Sequence, residues 1–390
     1  MIKISGAGIS GLSAAITLGH NKRRVIIRDI ASSIKEKTSR GINAIRNYKS
    51  DEDILKEYQK LGLNLKDFHP INRQIILVDA EKYIEVESED KSMFYTIPRG
   101  REGSIDNMLF HQATSLNVKV EWNTTFKNPD ILATGSKYSH CVGYGKHFID
   151  VDDTSTIYIL QNSKYAPYGY MCILPYSKNE ATLILGTFKP GYNVDMKKKY
   201  EQVLKEIPQF RDYVQGATVK HKVEGFGNFG MPDTATDKDR IVIGESAGLL
   251  EAYRGFGIHS AIMSGYAAGL ALTFGTDYDE LWRDMIGITL QRDLMRRLAE
   301  NELNVNSEMI LLNLIDKLPK QVTVDTLQYE KNKFERKLLN RLGLSDLNKY
   351  ITDWNQKYQY VTSEPKTEMI SSGTQFISQI KEQKRESDIA

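Results

Sequence analysis

Three glycines near the amino terminus have the spacing of a loop that binds the phosphates of a dinucleotide. Gly6, Gly8 and Gly11 form the pattern G-x-G-x-x-G. The first glycine permits a tight turn, the second lets a pyrophosphate approach the backbone, and the third lets a helix pack on a strand. Asp29 follows about 20 residues later, where a carboxylate can bind ribose hydroxyls. The pattern alone leaves open whether the nucleotide is FAD or NAD.

The residues around this motif predict the strand–helix–strand unit that must position it. Residues 2–5 form a short apolar strand directly before the glycines. Residues 12–18 carry apolar and small side chains at roughly helical spacing, and residues 25–27 form a second apolar strand that ends at the acid. The helix therefore begins at the glycine turn, and its free N–H groups can bind a phosphate.

Two later segments also have the form of buried strands that end at glycine. Residues 128–135 contain a short apolar strand ending in Ala-Thr-Gly, and residues 239–248 contain another that ends in Gly-Glu. A helix rich in small residues is predicted over 257–272.

The form and order of these three segments resemble the FAD-binding superfamily of the group A flavin monooxygenases and the geranylgeranyl reductases. The resemblance covers roughly residues 1–272. It implies an α/β fold with a Rossmann-like FAD-binding domain, an inserted antiparallel β-sheet substrate domain and a helical C-terminal region. We expect the FAD-binding domain at 1–70, 98–150 and 219–275, the substrate domain at 71–97 and 151–218, and the helical region at 276–390.

The resemblance implies FAD as the cofactor and assigns its contacts. In the family the glycine motif binds the ADP half, a Gly-Asp strand end binds the ribityl chain, and the following glycine loop lies against the isoalloxazine ring. Here the Gly-Asp pair is Gly244 and Glu245, whose carboxylate is one methylene longer. The predicted cofactor-binding residues are Gly6, Gly8, Ile9, Ser10, Gly11, Asp29, Arg40, Gly41, Arg101, Ala133, Thr134, Gly135, Gly244, Glu245, Arg254, Gly255, Gly257 and Ile258.

The arginines in that set also have simpler interpretations. Arg254 could balance the negative charge of a reduced flavin, or it could pair with a carboxylate. Arg101 could contact the FAD phosphate or ribityl chain, or it could be a surface charge at the start of a helix. Arg40 fits an arginine that the superfamily often has near this loop.

Other residues favour the reductase branch of the superfamily over the monooxygenase branch. Gly248 stands where the monooxygenases usually have a histidine, and residues 168–175 resemble the reductase signature Y-x-W-x-F-P. In that signature Cys172 replaces tryptophan and Leu174 replaces phenylalanine. The early cysteine of the archaeal reductases is absent from residues 38–44, which raises the monooxygenase alternative.

Three side chains are candidates for proton donation to a substrate. Cys172 could face a ligand cavity, although a free cysteine is more often a small buried apolar residue. His259 begins the helix beside the flavin and could donate a proton, or it could be a packed, hydrogen-bonded histidine. Tyr170 belongs to the same signature as Cys172. The other cysteine, Cys141, has no partner motif and is predicted to be structural.

Composition excludes several classes of protein. The chain has 390 residues, of which 41% are hydrophobic and 26% charged, so it is globular rather than disordered. A net charge of +2 gives no support for nucleic-acid binding through bulk charge. Two cysteines make neither a disulfide framework nor a zinc site, and no metal is expected. No apolar run approaches the roughly 18 residues of a membrane span, so we expect a cytoplasmic protein, with peripheral membrane contact left open.

The resemblance implies an FAD-dependent oxidoreductase that reduces carbon–carbon double bonds of a geranylgeranyl-type isoprenoid chain by hydride transfer. The expected partners are an apolar small-molecule substrate and an electron donor, either NAD(P)H or ferredoxin. The first alternative is an FAD-dependent monooxygenase that uses NAD(P)H and oxygen on an apolar substrate. The second is a flavin-binding protein without turnover that recruits a partner through its C-terminal helices.

Overall fold

The computed structural model describes residues 1–34, 41–48, 52–135, 139–177, 179–303 and 307–341. The sequence also predicts a helix within residues 330–360 that ends near Trp354; its part after Arg341 lies outside the described residues, as does the predicted polar tail from Thr362. The first half contains β1 (Ile2–Ser5), α1 (Ile9–His20), β2 (Val25–Arg28), β3 (Ile42–Arg46), α2 (Ile54–Lys60), β4 (His69–Ile71), β5 (Arg73–Leu77), β6 (Tyr83–Glu87), β7 (Phe94–Pro98), α3 (Ile105–Ser115), β8 (Lys119–Glu121), β9 (Ile131–Leu132), β10 (Cys141–Ile149), β11 (Thr156–Leu160), β12 (Gly169–Tyr176) and β13 (Glu180–Thr187).

The second half of the chain contains the other described elements, most of which are helices. These elements are α4 (Met196–Glu206), α5 (Pro208–Tyr213), β14 (Thr218–Gly227), β15 (Thr236–Asp237), β16 (Arg240–Val242), α6 (Ile258–Phe274), α7 (Tyr278–Trp282), α8 (Ile288–Leu303), α9 (Ser307–Ile315), β17 (Gln321–Thr323) and α10 (Val324–Arg341). Gly244–Ala247 forms a 3₁₀ turn and Arg283–Gly287 a π-helical turn.

The glycine motif lies at the end of a largely parallel sheet. The strand order is β15-β16-β9-β1-β2-β8, and β1 is parallel to both β2 and β9. Ile4 pairs with Ile27 on one side and with Ile131 on the other, and all three side chains are fully buried. Strands this apolar require cover on both faces, as parallel sheets usually have. The predicted α/β class with a Rossmann-like unit is confirmed.

A second sheet of eight strands forms the other large layer. Its order is β14-β10-β13-β12-β11-β5-β6-β17. The prediction of an antiparallel sheet holds for β14-β10-β13-β12-β11 and for β5-β6, whereas β11 is parallel to β5 and β17 is parallel to β6. Strands β10 and β14 pair with this sheet, although the predicted boundaries place their residues mainly in the FAD-binding domain. Those boundaries stay a prediction.

The described part of the C-terminal region is mainly helical, as expected. The exception is β17, whose Val322 pairs with Val86 at the edge of the large sheet. Helices α9 and α10 flank this strand, and Leu311 and Leu327 are buried in the same apolar cluster as Val86. The region therefore covers one end of the large sheet. No described helix has both the length and the apolar character needed to cross a membrane.

Helix α6 packs against α1 through glycines that leave no space for a Cβ atom. An added Cβ at Gly265 would lie 2.3 Å from the backbone oxygen of Ser10, and one at Gly269 would lie 2.5 Å from Cβ of Thr17. A backbone atom cannot move away from an added methyl group as the end of a flexible side chain can. The glycines of α6 thus fix the distance between the first helix and the segment that follows Glu245.

We expect Gly265→Ala to lower the free energy of unfolding of the flavin-free protein by about 1–3 kcal/mol, because the added methyl group overpacks the α1–α6 contact. The measurement is urea denaturation followed by circular dichroism. Gly225→Ala is the matched control, since a Cβ there meets no atom of the described residues within 4 Å. Equal stability of the two variants would contradict the proposed contact.

Candidate functional site

A cavity of about 610 Å³ is lined by residues of the six-stranded and the eight-stranded sheets and of a small three-stranded sheet, β3-β7-β4. Its first end is formed by the glycine turn and by the end of β9, and its far end is apolar. Between them lie the segment after β16 and the loop before α6. The residues predicted from sequence that line it are Gly8, Ile9, Ser10, Ala133, Thr134, Gly135, Tyr170, Cys172, Glu245, Arg254, Gly255, Gly257 and Ile258.

The glycine turn leaves room for a ligand at one position only. An added Cβ at Gly6, whose φ is +110°, would lie 2.1 Å from the backbone oxygen of Ala133. At Gly11 it would lie 2.0 Å from the oxygen of Gly6. At Gly8 it would meet no atom of the described residues within 4 Å. Gly6 and Gly11 therefore serve the packing of the turn, whereas Gly8 opens onto the cavity.

The first turn of α1 offers N–H groups to that opening. Gly8 is the N-cap of the helix and supplies no side-chain hydrogen bond to it. The first N–H groups of a helix have no intrahelical acceptor and carry a partial positive charge. The turn therefore fits a phosphate group in the way that dinucleotide-binding folds use it.

Asp29 has a structural task in this arrangement. Its Oδ2 atom accepts a hydrogen bond of 2.6 Å from the backbone N–H of Ala7, and its Oδ1 atom accepts one of 2.9 Å from Ala31. The side chain is 3% exposed. The carboxylate thus holds the glycine turn against β2, and its predicted contact with ribose remains a prediction.

Glu245 places a carboxyl group beside the loop that precedes α6. A Cβ atom added to Gly257 would lie 3.6 Å from its Oε1 atom, and one added to Gly227 would lie 3.8 Å from its Oε2 atom. Burial raises the pKa of Glu245 to about 7, against the opposing effects of the Arg99 charge and a hydrogen bond from the Asn228 backbone. At neutral pH this carboxyl group can therefore both hold and release a proton.

The loop of residues 251–257 is fixed from behind by helix α8. Arg297 is 1% exposed and donates to the backbone oxygens of Ala252 at 3.1 Å and Tyr253 at 2.6 Å. Its charge is balanced by Glu300 at 2.7 Å. Glu300 also accepts a hydrogen bond of 2.8 Å from the hydroxyl of Ser307, at the start of α9. One buried ion pair therefore connects this loop to the C-terminal helices.

A second buried group holds the start of the same loop. Arg46 of β3 forms an ion pair with Glu251 and donates to Asp293 of α8 at 3.0 Å. The three side chains are at most 5% exposed. Removing one member of such a group leaves a buried charge without compensation, which costs several kcal/mol. The loop is therefore a rigid wall of the cavity.

The far end of the cavity is built from the large sheet and the C-terminal helices. Tyr170 and Phe188 stack with ring centroids 5.6 Å apart, and the Tyr170 hydroxyl donates to the backbone oxygen of Arg254 at 2.5 Å. The apolar wall beyond them consists of Ile76, Ile157, Ile159, Leu174, Ile184, Ile310, Leu311, Leu314 and Leu327. This end can bind an apolar group and exclude water from it.

Several predicted residues lie outside the described lining of the cavity. Arg101 donates to Glu180 at 2.5 Å, and Nδ1 of His259 is 3.1 Å from the Tyr58 hydroxyl. Burial lowers the pKa of His259 to about 4, so its imidazole is neutral at physiological pH. The other residues in this group are Gly6, Gly11, Asp29, Gly41 and Gly244. Arg40 lies outside the described residues.

The two remaining proton-donor candidates line the cavity but hold their protons tightly. Burial raises the pKa of the Cys172 thiol to about 12 and also raises the pKa of the Tyr170 phenol. Neither group has a pKa near neutrality, where general acids work best. Glu245, predicted only as a cofactor contact, has the pKa that such a task requires.

Sequence reasoning missed Arg99, which lines the cavity two residues before the predicted Arg101. Its Nε and Nη2 atoms donate to Asp106 at 2.7 and 3.0 Å, so the guanidinium is fixed at the start of α3. No sequence motif marks Arg99, because its contact with Asp106 is visible only in the structure. Other missed residues of the lining are Tyr48, Gln74, Gln161, Glu224, Gln328 and Lys331.

Comparison with known proteins identifies the fold. No protein-family model and no curated protein matches the chain. The structure is similar to a geranylgeranyl bacteriochlorophyll reductase-like protein from Thermoplasma acidophilum, with a TM-score of 0.69 and 16% identity over 88% of this chain and 98% of that one. It is also similar to the myxobacterial chondrochloren halogenase, described as an FAD-dependent halogenase, with a TM-score of 0.59 and 13% identity over 89% and 90%.

A third similar structure is a flavoprotein/dehydrogenase from Cytophaga hutchinsonii, with a TM-score of 0.55 and 14% identity over 81% of this chain and 91% of that one. At such identities the likeness establishes the fold.

We expect Glu245 to make the flavin-free protein less stable as pH rises from 4.5 to 7. Its pKa is raised on folding, so the unfolded chain releases the proton first, and the stabilisation present below pH 4.5 is lost by about pH 7. The free energy of unfolding of the wild type should fall by about 2 kcal/mol across this range because of Glu245, and Glu245→Gln should abolish that contribution. Urea denaturation at a series of pH values measures it.

Glu206→Gln is the control for this titration. The Lys164 ammonium lowers the pKa of exposed Glu206 to about 2, so this side chain is ionised throughout the range. The control should keep the wild-type slope. An unchanged slope in Glu245→Gln would contradict the raised pKa.

Proposed function

We propose that this chain is an FAD-dependent oxidoreductase that reduces carbon–carbon double bonds of an isoprenoid chain. The observation that carries the proposal is the continuity of one cavity from a phosphate-binding glycine turn to an apolar wall. A cofactor that spans the first part would present its reactive ring to a substrate in the second. The similar reductase-like, halogenase and dehydrogenase structures support the same class of cofactor.

The residues present fit two parts of FAD, its pyrophosphate and its ribityl chain. The open space at Gly8 and the N-terminus of α1 would hold the pyrophosphate. Glu245 would accept a hydrogen bond from the ribityl chain or donate one to it. When bound, FAD supplies the hydride chemistry that no protein side chain provides.

The loop before α6 would control the charge at the reacting end. Gly255 and Gly257 line the cavity, and α6 begins at Ile258 with no side-chain cap on its N-terminus. The positive end of this helix would stabilise negative charge on a neighbouring ring. Because Arg297 and Arg46 hold the loop from behind, its N–H groups keep their positions when that charge develops.

The apolar wall would hold the alkene and exclude water. Reduction of a double bond requires a proton as well as a hydride, and Glu245 is the described cavity group whose pKa lies near neutrality. We assign the proton to its carboxyl oxygen, in place of the thiol of Cys172 and the imidazole of His259. NAD(P)H or ferredoxin is the proposed source of electrons.

Anaerobic flavin absorbance tests the reaction. The FAD-loaded protein is photoreduced and mixed with a geranylgeranylated lipid in detergent. We expect reoxidation without oxygen and a product that gains two hydrogen atoms for each reduced bond, detected by mass spectrometry. The fully saturated lipid is the matched control and should leave the flavin reduced.

Reoxidation that begins only when air is admitted, with an oxygenated product, would overturn the reductase in favour of the monooxygenase. Variants of the proton donors extend the test. We expect Glu245→Gln to slow alkene-dependent reoxidation at least tenfold, while Cys172→Ser and Tyr170→Phe change it less than threefold. The opposite order would contradict the assignment of the proton to Glu245.

A further inference from the structure

Cationic side chains surround one buried aromatic ring in the wall of the cavity. The ring of Tyr253 is 6% exposed. The Nζ atom of Lys331 lies 4.9 Å from its centroid, and the Cζ atoms of Arg254, Arg297 and Arg296 lie at 5.5, 5.6 and 5.8 Å. These charges come from α8, α10 and the loop before α6, so the fold brings them together around a residue that lines the cavity.

Arg297 and Arg296 are each held by an acidic side chain of α8. Arg297 is paired with Glu300 at 2.7 Å, and Arg296 lies 3.7 Å from Asp293. Asp293 is itself shared with Arg46 at 3.0 Å. Glu300 and Asp293 are thus engaged with Arg297, Arg296 and Arg46, and the charge of Asp293 also acts on Arg254.

Arg254 differs from them in its surroundings. It lines the cavity, and its Nη1 atom is buried without a hydrogen-bond partner among the described residues. Its guanidinium lies 5.5 Å from the Tyr170 ring and is near enough to Cys172 to oppose the rise in the thiol pKa. A buried guanidinium with an unused donor costs free energy unless an acceptor reaches it.

The position of Arg254 favours a substrate over the cofactor as the source of that acceptor. Tyr170 and Cys172 belong to the apolar cluster at the far end of the cavity. Gly257, by contrast, lies beside Glu245 and Leu250, in the middle part of the cavity where the proposed function places the flavin ring. The guanidinium therefore extends away from the glycine turn and toward the apolar wall.

We propose that Arg254, assisted by Lys331, binds an anionic head group of the substrate, so that the substrate is an amphiphile with its apolar chain along α9. The head group is a carboxylate or a phosphate monoester. This inference rests on the proposed function, which makes the far end of the cavity the substrate site. In the low dielectric of that end, the attraction between a guanidinium and an anion is stronger than in water.

Binding of three twelve-carbon amphiphiles to the FAD-loaded protein tests this proposal. Dodecanoate, dodecyl phosphate and dodecan-1-ol are titrated below their micellar concentrations, and the change in flavin fluorescence gives each Kd. We expect the better anion to bind at least tenfold more tightly than the alcohol. Dodecanoate binding best identifies a carboxylate, and dodecyl phosphate binding best identifies a phosphate.

Variants locate the charge that is responsible. Arg254→Gln should reduce the preference for the anion to less than threefold and leave the Kd of the alcohol unchanged. Lys331→Gln should reduce the preference by about threefold. Arg292→Gln is the matched control, because Arg292 is an exposed arginine of α8, and it should keep the wild-type preference.

Two results would overturn the proposal. One is equal binding of the alcohol and both anions by the wild-type protein. The other is an Arg254→Gln variant that keeps the preference while its FAD affinity or flavin reduction potential changes, since the guanidinium would then serve the cofactor. An anion preference that depends on Arg254, in a protein that fails to reduce any alkene, would retain this site and reject the proposed reaction.

Discussion

The close approach of backbone segments around the first turn of α1 is the constraint on which the rest of the structure depends. Gly6 meets the oxygen of Ala133, Gly11 meets the oxygen of Gly6, and Gly265 meets the oxygen of Ser10. None of these positions has space for a Cβ atom. Three segments far apart in sequence thereby converge on one turn, and the cavity begins where Gly8 leaves this packing open.

The rest of the site depends on charge buried behind the cavity. Arg297 and Arg46 connect the loop before α6 to α8 and β3, and Glu300 extends the first connection to Ser307 in α9. The helices that cover the apolar end and the loop that would carry the reacting ring are therefore parts of one hydrogen-bonded assembly. The proposed function requires a rigid site in which a substrate is placed against a cofactor, and our proposal makes Arg254 the charge that binds the head group of that substrate.

The sequence predicted those parts of the fold that depend on residues close together in the chain. The glycine turn, β1, β2 and α6 are where the spacing placed them, because turn chemistry and apolar periodicity act over a few residues. Contacts that only the folded chain makes decide the positions of the polar side chains. Asp106 holds Arg99 in the lining of the cavity, and Glu180 holds Arg101 outside it. The Ala7 amide likewise determines the structural task of Asp29. The parallel pairing of β17 with β6 joins residues more than 200 positions apart, beyond the reach of local pattern.

Calorimetric titration of the flavin-free protein with FAD, FMN and ADP tests the central claim most directly. If the glycine turn binds the ADP half, one FAD should bind per chain, ADP should compete with it, and FMN should bind far more weakly. Gly8→Asp should lose FAD binding and keep its unfolding free energy, since the new Cβ meets no described atom. FMN binding as tight as that of FAD, or stoichiometric FAD in Gly8→Asp, would contradict the account.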